Sequence, residues 1–265
     1  MTMPSTPQPA PEGPVSARPR ARAATSGPPT PSRRPLPPLP PLPSPHGPAS
    51  LRSPVALGRA TAALLGLVIA ADLGGLWADR AVYEATRVLV GGVSDVVVRQ
   101  RIDHAASLDT LAVRAYGIAL VAAVVVYLVW FRRVRVNAEV FSPYGHTMSR
   151  AWASWCWFVP LVQLWFPRRI MGEIWDASRP AGARNRHALL NAWWTFWGLR
   201  LLTARLSSVA VGGAETAEEI QNAAVRAAIA DGVDIVAAAL AIVVVLKLTW
   251  MQDRKAQADP VAVEG

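Results

Sequence analysis

The chain has 265 residues, with 27 Lys and Arg against 18 Asp and Glu, which gives a formal net charge of +9. Charged residues make up only 17% of the chain and hydrophobic residues 52%, whereas a soluble domain is roughly 25% charged. This composition argues against a compact water-soluble enzyme, because it leaves too little polar surface to cover a core. The single cysteine excludes a disulfide scaffold and a cysteine-based metal cluster, and the four histidines are far apart in sequence.

Residues 1–53 contain 17 of the 23 prolines, together with six arginines and one acid. Proline removes backbone donors and blocks helices, and the segment has few large apolar residues to bury. We predict a disordered cytoplasmic tail, partly in the polyproline II conformation. The sequence RPLPPLP at residues 34–40 fits the pattern bound by SH3-type grooves. The favoured explanation is a chance match in a basic, Pro-rich tail. The excess of Arg over Lys indicates a bacterial coding bias, and domains that bind this pattern are scarce in bacteria.

Apolar runs long enough to cross a membrane follow the tail. A helix of about 20 residues crosses a hydrocarbon core of about 30 Å. The first run is interpreted as a retained anchor and not as a signal peptide, because a long tail precedes it. The sequence TAEE at residues 216–219 matches a helix capping box, so a helix is expected to begin there and lead into the last span. The four predicted spans are residues 55–77, 111–131, 187–211 and 231–250.

The Trp-rich run at residues 151–167 is too short for an ordinary span, and Pro160 lies near its centre. Basic residues flank it on both sides, and Lys and Arg accumulate on the cytoplasmic side of a membrane. A full crossing would place one basic flank outside, so residues 151–178 are predicted to form a re-entrant or interfacial element at the inner leaflet. A full crossing is the alternative. The remaining loop charges place both termini in the cytoplasm, in a multi-pass protein of the cell membrane.

Within this element, residues 168–178 show helical alternation of apolar and charged side chains. This pattern predicts a short amphipathic helix on the inner membrane surface, with its arginines near anionic headgroups. Eight of the eleven tryptophans lie between Trp152 and Trp197. They are interpreted either as an aromatic belt at the headgroups or as a groove for a lipid or a partner helix. The candidate interfacial or partner surface comprises Trp157, Pro160, Trp165, Pro167, Arg168, Arg169 and Trp175.

Charges inside the predicted spans form a second candidate site, because a charge within a bilayer is costly unless it is paired or hydrated. The candidate cluster comprises Asp72, Arg114, Arg200, Arg205, Asp231 and Asp234. In the predicted orientation they lie in the outer third of the bilayer, except Arg200, which lies near the middle. We predict that Asp72 and Asp234 neutralise Arg200 and Arg205. The pairs are interpreted either as fixing the helix register or as lining a polar cavity for transport or ligand binding.

Motifs typical of enzymes do not occur: the sequence contains no H-E-x-x-H, G-x-S-x-G, P-loop or G-x-G-x-x-G pattern. Cys156 has no neighbouring histidine, which predicts a packed thiol and not a nucleophile. We therefore expect no catalytic, cofactor or metal site, and hence no enzyme. Nucleic-acid binding is not expected either, because the basic residues are divided among interfacial clusters.

Four motifs resemble a known family: FRRVRVNAEVFSP at residues 131–143, W-x-x-x-x-WFVPLVQLWFP at 152–167, IM-x-E-x-W-x-AS at 170–178 and WW-x-x-W at 193–197. They resemble a bacterial membrane family, common in actinobacteria, known as domain-of-unknown-function family 4328. The resemblance covers residues 130–205 by motifs and 62–252 by the arrangement of spans. It implies an integral membrane protein and brings no activity.

The family motif falls on aromatic, proline and polar positions of this chain. Members often have Asn at the position of Gln163 and an aromatic residue at that of Arg168, so the roles of these two positions are not transferred. The matching positions are Arg133, Asn137, Phe141, Pro143, Trp152, Trp157, Phe158, Pro160, Leu164, Trp165, Pro167, Trp175, Ser178, Trp193 and Trp194.

The sequence thus predicts an all-α integral membrane helix bundle with four transmembrane helices and a Trp/Pro-rich re-entrant or interfacial segment. Its predicted parts are the tail at residues 1–53, a membrane domain at 54–252 and a short C-terminal tail at 253–265. The leading hypothesis is a membrane interaction or scaffold protein that binds a protein partner or anionic lipid at the inner leaflet. The alternative is a small transporter or lipid-handling protein that uses the Arg/Asp pairs.

Overall fold

The computed structural model describes residues 45–90, 96–180, 182, 187–212 and 216–258. The prediction for residues 1–44 of the tail and that for residues 259–265 lie outside these ranges. All regular structure within the ranges is helical, which confirms the all-α prediction. The elements in chain order are α1 (Val55–Val90), α2 (Val96–Phe141), α3 (Trp152–Trp155), a 3-10 turn (Val162–Leu164), α4 (Phe166–Ser178), α5 (Ala188–Gly212) and α6 (Ala217–Ala258).

Helix boundaries follow local sequence signals. Pro143 closely follows the end of α2, and Pro167 lies in the first turn of α4, where its missing N–H is tolerated. The predicted capping box at the start of α6 is confirmed: the Glu219 amide donates to Thr216 Oγ1 at 3.2 Å, and the Thr216 amide donates to Glu219 Oε2 at 2.9 Å.

The long helices continue beyond the predicted spans. Helix α2 has 46 residues and rises ~69 Å at 1.5 Å per residue. Among the described residues, three helices are long and apolar enough to cross a membrane, over Val55–Glu84, Thr110–Phe141 and Glu218–Ala258. Helix α5 occupies the predicted span 187–211 but is not one of these three, because its arginines and tryptophans lower its hydropathy.

Helix α1 packs against both α2 and α6, and α5 packs against α6. A glycine of α1 allows a close approach of α6: a Cβ at Gly75 would lie 2.6 Å from Asp231 Oδ2. Hydrogen bonds join Arg52, just before α1, to Asn137 of α2, and Asn137 to Gln252 of α6. We call this end of the bundle the inner end and the opposite end the outer end.

The apolar core lies at the inner end, where α4 packs against α2 and α6. The apolar face of α4, with Ile170, Met171, Ile174 and Trp175, is fully or almost fully buried in this core. The prediction that this face of an amphipathic helix lies on lipid is therefore wrong in the structure. Sequence periodicity shows that a helix face is apolar, but it does not show whether protein or lipid covers that face.

The Trp/Pro-rich segment between α2 and α4 consists of one helical turn, an irregular stretch and a 3-10 turn. Leu161, directly after Pro160, has a positive φ of 67°, which residues other than glycine seldom adopt. Large apolar side chains of this stretch point away from the protein, and they are Trp155, Phe158, Leu161, Leu164 and Trp165. We call residues 155–165 the aromatic turn.

Candidate ligand cavity and a closed polar network

A charged triad joins α2, α5 and α6 in the outer part of the bundle. Arg200 Nε forms an ion pair with Asp234 Oδ1, and Arg200 Nη2 donates to the Tyr116 hydroxyl at 2.6 Å. The Tyr116 hydroxyl in turn donates to Asp234 Oδ2 at 2.6 Å. Both carboxylate oxygens of Asp234 therefore have a partner, and its side chain is almost fully buried. We call Tyr116, Arg200 and Asp234 the outer triad.

Helix geometry explains which predicted charges join the triad. Arg205 follows Arg200 by five residues and so lies about 140° around α5, on an exposed face. Arg114 precedes Tyr116 by two residues and so lies about 160° away around α2, also exposed. No ion pair joins either arginine to a described carboxylate, so the prediction that Arg205 is neutralised inside the bundle is wrong.

Asp72 of α1 lies near the triad without completing it. The residue is 4% exposed, and its Oδ2 atom has no hydrogen-bond partner among the described residues. Together with Asp231, Asp234, Tyr116 and Arg200 it lines a cavity of about 710 Å³. The structure thus brings four residues of the predicted cluster around one cavity, which we call the outer cavity. Alanines on all four long helices line much of the remaining wall and make room for the cavity.

A second cavity, of about 260 Å³, adjoins the same charge pair, because Arg200 and Asp234 line both cavities. The rest of its wall is aliphatic and aromatic. Trp157 is the centre of the aromatic cluster, with ring centroids 5.4 Å from Tyr127 and 5.9 Å from Trp197. The Tyr127 hydroxyl and Trp157 Nε1 are buried without a hydrogen-bond partner among the described residues. We call this the aromatic cavity.

A different polar cluster fills the inner end. Glu139, which is fully buried, accepts from Arg135 Nη1 and Arg150 Nε, both at 2.6 Å. Arg135 Nη2 also donates to the Met148 carbonyl at 2.6 Å, and Arg150 donates to the carbonyls of Gly47 and Pro48, each at 2.9 Å. This ion-pair network ties the segment before α1 to the end of α2.

Neutral side chains extend the same network. Asn137 donates to the Arg52 carbonyl at 2.8 Å and to Gln252 Oε1 at 3.1 Å. Gln252 Nε2 donates to the Val134 carbonyl at 2.9 Å and to Ser178 Oγ at 3.0 Å. The inner network, from Arg135 to Gln252, therefore joins α2, α4, α6 and the segment before α1, and its buried polar atoms are paired.

The inner network falls largely on the motif at residues 131–143, which supplies Arg135, Asn137 and Glu139. A family model described as Domain of unknown function (DUF4328) matches residues 94–250, more than half of the chain. The chain belongs to this family. The resemblance predicted from the motifs is thereby confirmed. No curated protein and no solved structure matches the chain.

The family match covers both polar regions unequally. Tyr116, Arg200 and Asp234 lie inside the matched range, and so does the inner network apart from the segment before α1 and Gln252. Asp72 lies before the matched range. The wall that α1 contributes to the outer cavity is therefore a feature of this chain outside the matched domain.

The predicted interfacial surface is divided in the structure. Pro160, Trp165 and Arg169 are exposed, Trp157 and Arg168 are half-buried, and Pro167 and Trp175 are buried. Arg168 donates to Asn191 Oδ1 at 2.5 Å, so this arginine connects α4 to α5 and does not extend freely towards headgroups. The exposed part of the surface is thus the aromatic turn and Arg169.

Two titratable groups near this surface have shifted pKa values. Burial raises the pKa of the Cys156 thiol to about 12, which keeps it protonated and disfavours a nucleophilic role. Burial alone would also raise the pKa of Glu173, but nearby His146 and the hydroxyl and amide of Thr147 outweigh it and lower that pKa. Thr147 Oγ1 donates to Glu173 Oε1 at 2.5 Å, and His146 Nδ1 lies 3.9 Å from Glu173 Oε2.

Sequence reasoning missed Tyr116, Arg135 and Glu139. Tyr116 is a lone hydroxyl in an apolar run, and only its position among charges of other helices reveals its role. Arg135 and Glu139 are spaced i, i+4 within the family motif, a spacing typical of a helical ion pair that the sequence does show. Across the described part of the chain, no group of three or more His, Cys, Asp or Glu side chains is placed to hold a metal ion.

Proposed function

We propose that the protein is a multi-pass protein of the cell membrane with four crossings, in which α5 is the third in chain order, between α2 and α6. Helix α2 runs from the outer to the inner end, and α6 begins again at the outer end. Helix α5 therefore has to carry the chain back across the bundle. The ion pair of Arg200 with Asp234 supports this placement, because it neutralises one of the two arginines that lower the hydropathy of α5. With an even number of crossings, both chain ends lie on one side, which the loop charges assign to the cytoplasm.

We further propose that the protein binds a small solute in the outer cavity, as part of transport or delivery across the membrane, without a catalysed reaction. The observation that carries this proposal is Asp72, a buried carboxylate with an unpartnered oxygen that lines a cavity of about 710 Å³. Ligand sites commonly have volumes of about 300–1,000 Å³ and a few polar groups in an otherwise apolar wall. Charges inside a membrane bundle commonly mark substrate or ion pathways.

The test is to extract the protein with its surrounding lipid, without detergent, and to identify co-purifying small molecules by mass spectrometry. We expect a solute that is retained by the wild type and retained in a different amount by Arg200→Gln, because that variant breaks the ion pair with Asp234 in the cavity wall. The matched control is Arg205→Gln, which removes the same charge from an exposed position of α5. A solute retained equally by both variants, or retained by neither variant nor wild type, would contradict the proposal.

A second candidate function concerns the aromatic turn and follows from its exposed side chains. Trp155 is 64% exposed, Leu161 69% and Trp165 57%, an unusual density of large apolar surface. We propose that this turn enters the hydrocarbon of the inner leaflet as a re-entrant element. Arg169, exposed beside it, would then lie at the level of anionic headgroups. On this proposal the turn anchors the inner end and offers a surface for anionic lipid or a membrane-bound partner.

Depth-dependent fluorescence quenching tests the second candidate. In vesicles of brominated lipid we expect strong quenching of Trp155 and Trp165, measured as the difference between wild type and each Trp→Phe variant. Trp175 in the protein core is the control and should contribute little quenched signal. Equal accessibility of Trp165 to a water-soluble quencher would show that the turn lies in water.

A further inference from the structure

We propose that the ligand of the outer cavity is an organic cation, an ammonium group with a small apolar body, whose N–H groups donate to Asp72. This inference rests on the solute-binding function proposed above and names the class of solute. It follows from the charge of the cavity wall, the position of Asp72 and the character of the remaining wall.

Acidic side chains outnumber basic ones among the described residues that line the cavity. Asp72, Asp79, Asp231 and Asp234 line the cavity, and Arg200 is the one basic side chain among its described lining residues. Arg200 is already paired with Asp234, whereas Asp72 keeps an oxygen without a partner among the described residues. An anionic solute would meet the Asp72 carboxylate in a medium of low dielectric constant, where like charges repel strongly.

The position of Asp72 specifies what the solute must supply. Its Oδ2 atom is buried and lacks a hydrogen-bond partner among the described residues. A positively charged ligand with an N–H group would supply the missing hydrogen-bond donor and would also neutralise the carboxylate. The Tyr116 hydroxyl, nearby in the cavity wall, is already used by the triad. Asp72 therefore has a buried oxygen available for a ligand.

The remaining wall favours an organic cation over a metal ion. Within the described ranges, the carboxylates do not converge in a group of three or more that fits a metal. Alanines such as Ala112, Ala204 and Ala227 form apolar wall between the acids. A metal ion binds through several oxygen ligands at about 2–2.6 Å, whereas an alkylammonium needs one carboxylate and apolar contact.

Three probes of nearly the same shape test the charge requirement: 2-phenylethylammonium, neutral 2-phenylethanol and anionic 3-phenylpropionate. Binding is measured by titration calorimetry on the full chain in lipid nanodiscs, with empty nanodiscs subtracted for partitioning. We expect saturable binding of the ammonium probe, and at least tenfold weaker binding in Asp72→Asn. Asp253→Asn, which removes a carboxylate at the inner end of α6, should bind like wild type.

A second variant covers the case in which Asp72→Asn does not fold. Ala204→Leu adds bulk to the cavity wall from a position that is otherwise exposed, and it should also weaken the ammonium probe. Preferred binding of the neutral or anionic probe would overturn the cation inference and leave solute binding intact. Binding of the ammonium probe that neither variant changes would overturn the assignment to this cavity. If no probe binds, the cation inference fails, and co-purification decides separately on the proposed function.

Discussion

At the inner end of the bundle, the buried carboxylate of Glu139 accepts hydrogen bonds from two arginines. At the outer end, by contrast, the buried carboxylate of Asp72 has an oxygen with no hydrogen-bond partner among the described residues. Both groups lie on helices that are long and apolar enough to cross a membrane, and both are almost fully buried. A cavity of about 150 Å³ borders the inner network at its neutral side chains Asn137 and Gln252. The outer triad borders a cavity of about 710 Å³.

This difference separates two reasons for burying charge in a membrane protein. Where every donor and acceptor is paired, the charges hold segments of the chain together, and removal of one leaves its partners unsatisfied. Where one carboxylate oxygen is unpaired beside a cavity, its burial costs free energy that no described contact offsets. The first pattern is structural, and we infer that the second is functional.

The largest effect is expected when the inner network loses its central charge. Glu139→Gln keeps the shape but leaves Arg135 and Arg150 without a carboxylate, so we expect a loss of about 3–5 kcal/mol in the free energy of unfolding. The measurement is denaturant unfolding in mixed micelles. Glu84→Gln is the control, because its pair with Arg80 is exposed and worth at most about 0.5 kcal/mol. Similar losses in both variants would contradict a structural role for the inner network.

A smaller loss is expected when the outer triad loses its bridging hydroxyl. Tyr116→Phe removes two hydrogen bonds of 2.6 Å but leaves the direct ion pair of Arg200 with Asp234. We expect a loss of about 1–3 kcal/mol by the same unfolding measurement. Tyr144→Phe is the matched control, since Tyr144 is exposed and its hydroxyl has no described partner. An unchanged stability in Tyr116→Phe would show that the triad does not stabilise the bundle.

The sharpest test of the comparison is to remove a carboxylate whose loss is expected to leave the free energy of unfolding unchanged. Asp72→Asn keeps the shape and removes a charge that lacks a partner and lies near other acids, so we expect no loss of stability or a small gain. The measurement is again the free energy of unfolding, compared directly with Glu139→Gln. A loss as large as that of Glu139→Gln would show that Asp72 is a structural group and would remove the distinction drawn here.

The fold was largely predictable from the sequence, because long apolar runs, prolines and a capping box are local signals. The Trp/Pro-rich element could be distinguished from the predicted spans because its apolar run is short and contains Pro160. The ends of α1, α2 and α6 were not predictable from hydropathy, because these helices continue as more polar stretches beyond the apolar window. The burial of the α4 face was missed because periodicity identifies an apolar face without naming what covers it.

The candidate site was predictable in part. Charges in apolar runs identified Asp72, Arg200 and Asp234, since such residues are costly and rare in membranes. Their pairing was not predictable, because depth along the membrane says nothing about rotation around a helix: Arg205 lies at a plausible depth but on the wrong face. Tyr116 was missed because an isolated tyrosine in an apolar run carries no sequence signal of its own.

The smallest effect is expected for Glu173, a partly buried carboxylate on α4. Its environment is intermediate between that of the paired Glu139 and that of Asp72. Its folded pKa lies below the ordinary value of 4.5, because the Thr147 hydroxyl and amide and His146 favour the charged form more than burial opposes it. A lowered folded pKa means that its contribution is complete above the ordinary value and is lost as the pH falls through the folded value. We therefore expect unfolding experiments between neutral and acid pH to show a loss of stability in that window that is weaker in Glu173→Gln. A pH profile that Glu173→Gln leaves unchanged would show that the contacts of Thr147 and His146 do not favour the charged form. Glu173 would then resemble Asp72, whose carboxylate is uncompensated, more than Glu139, whose carboxylate is paired.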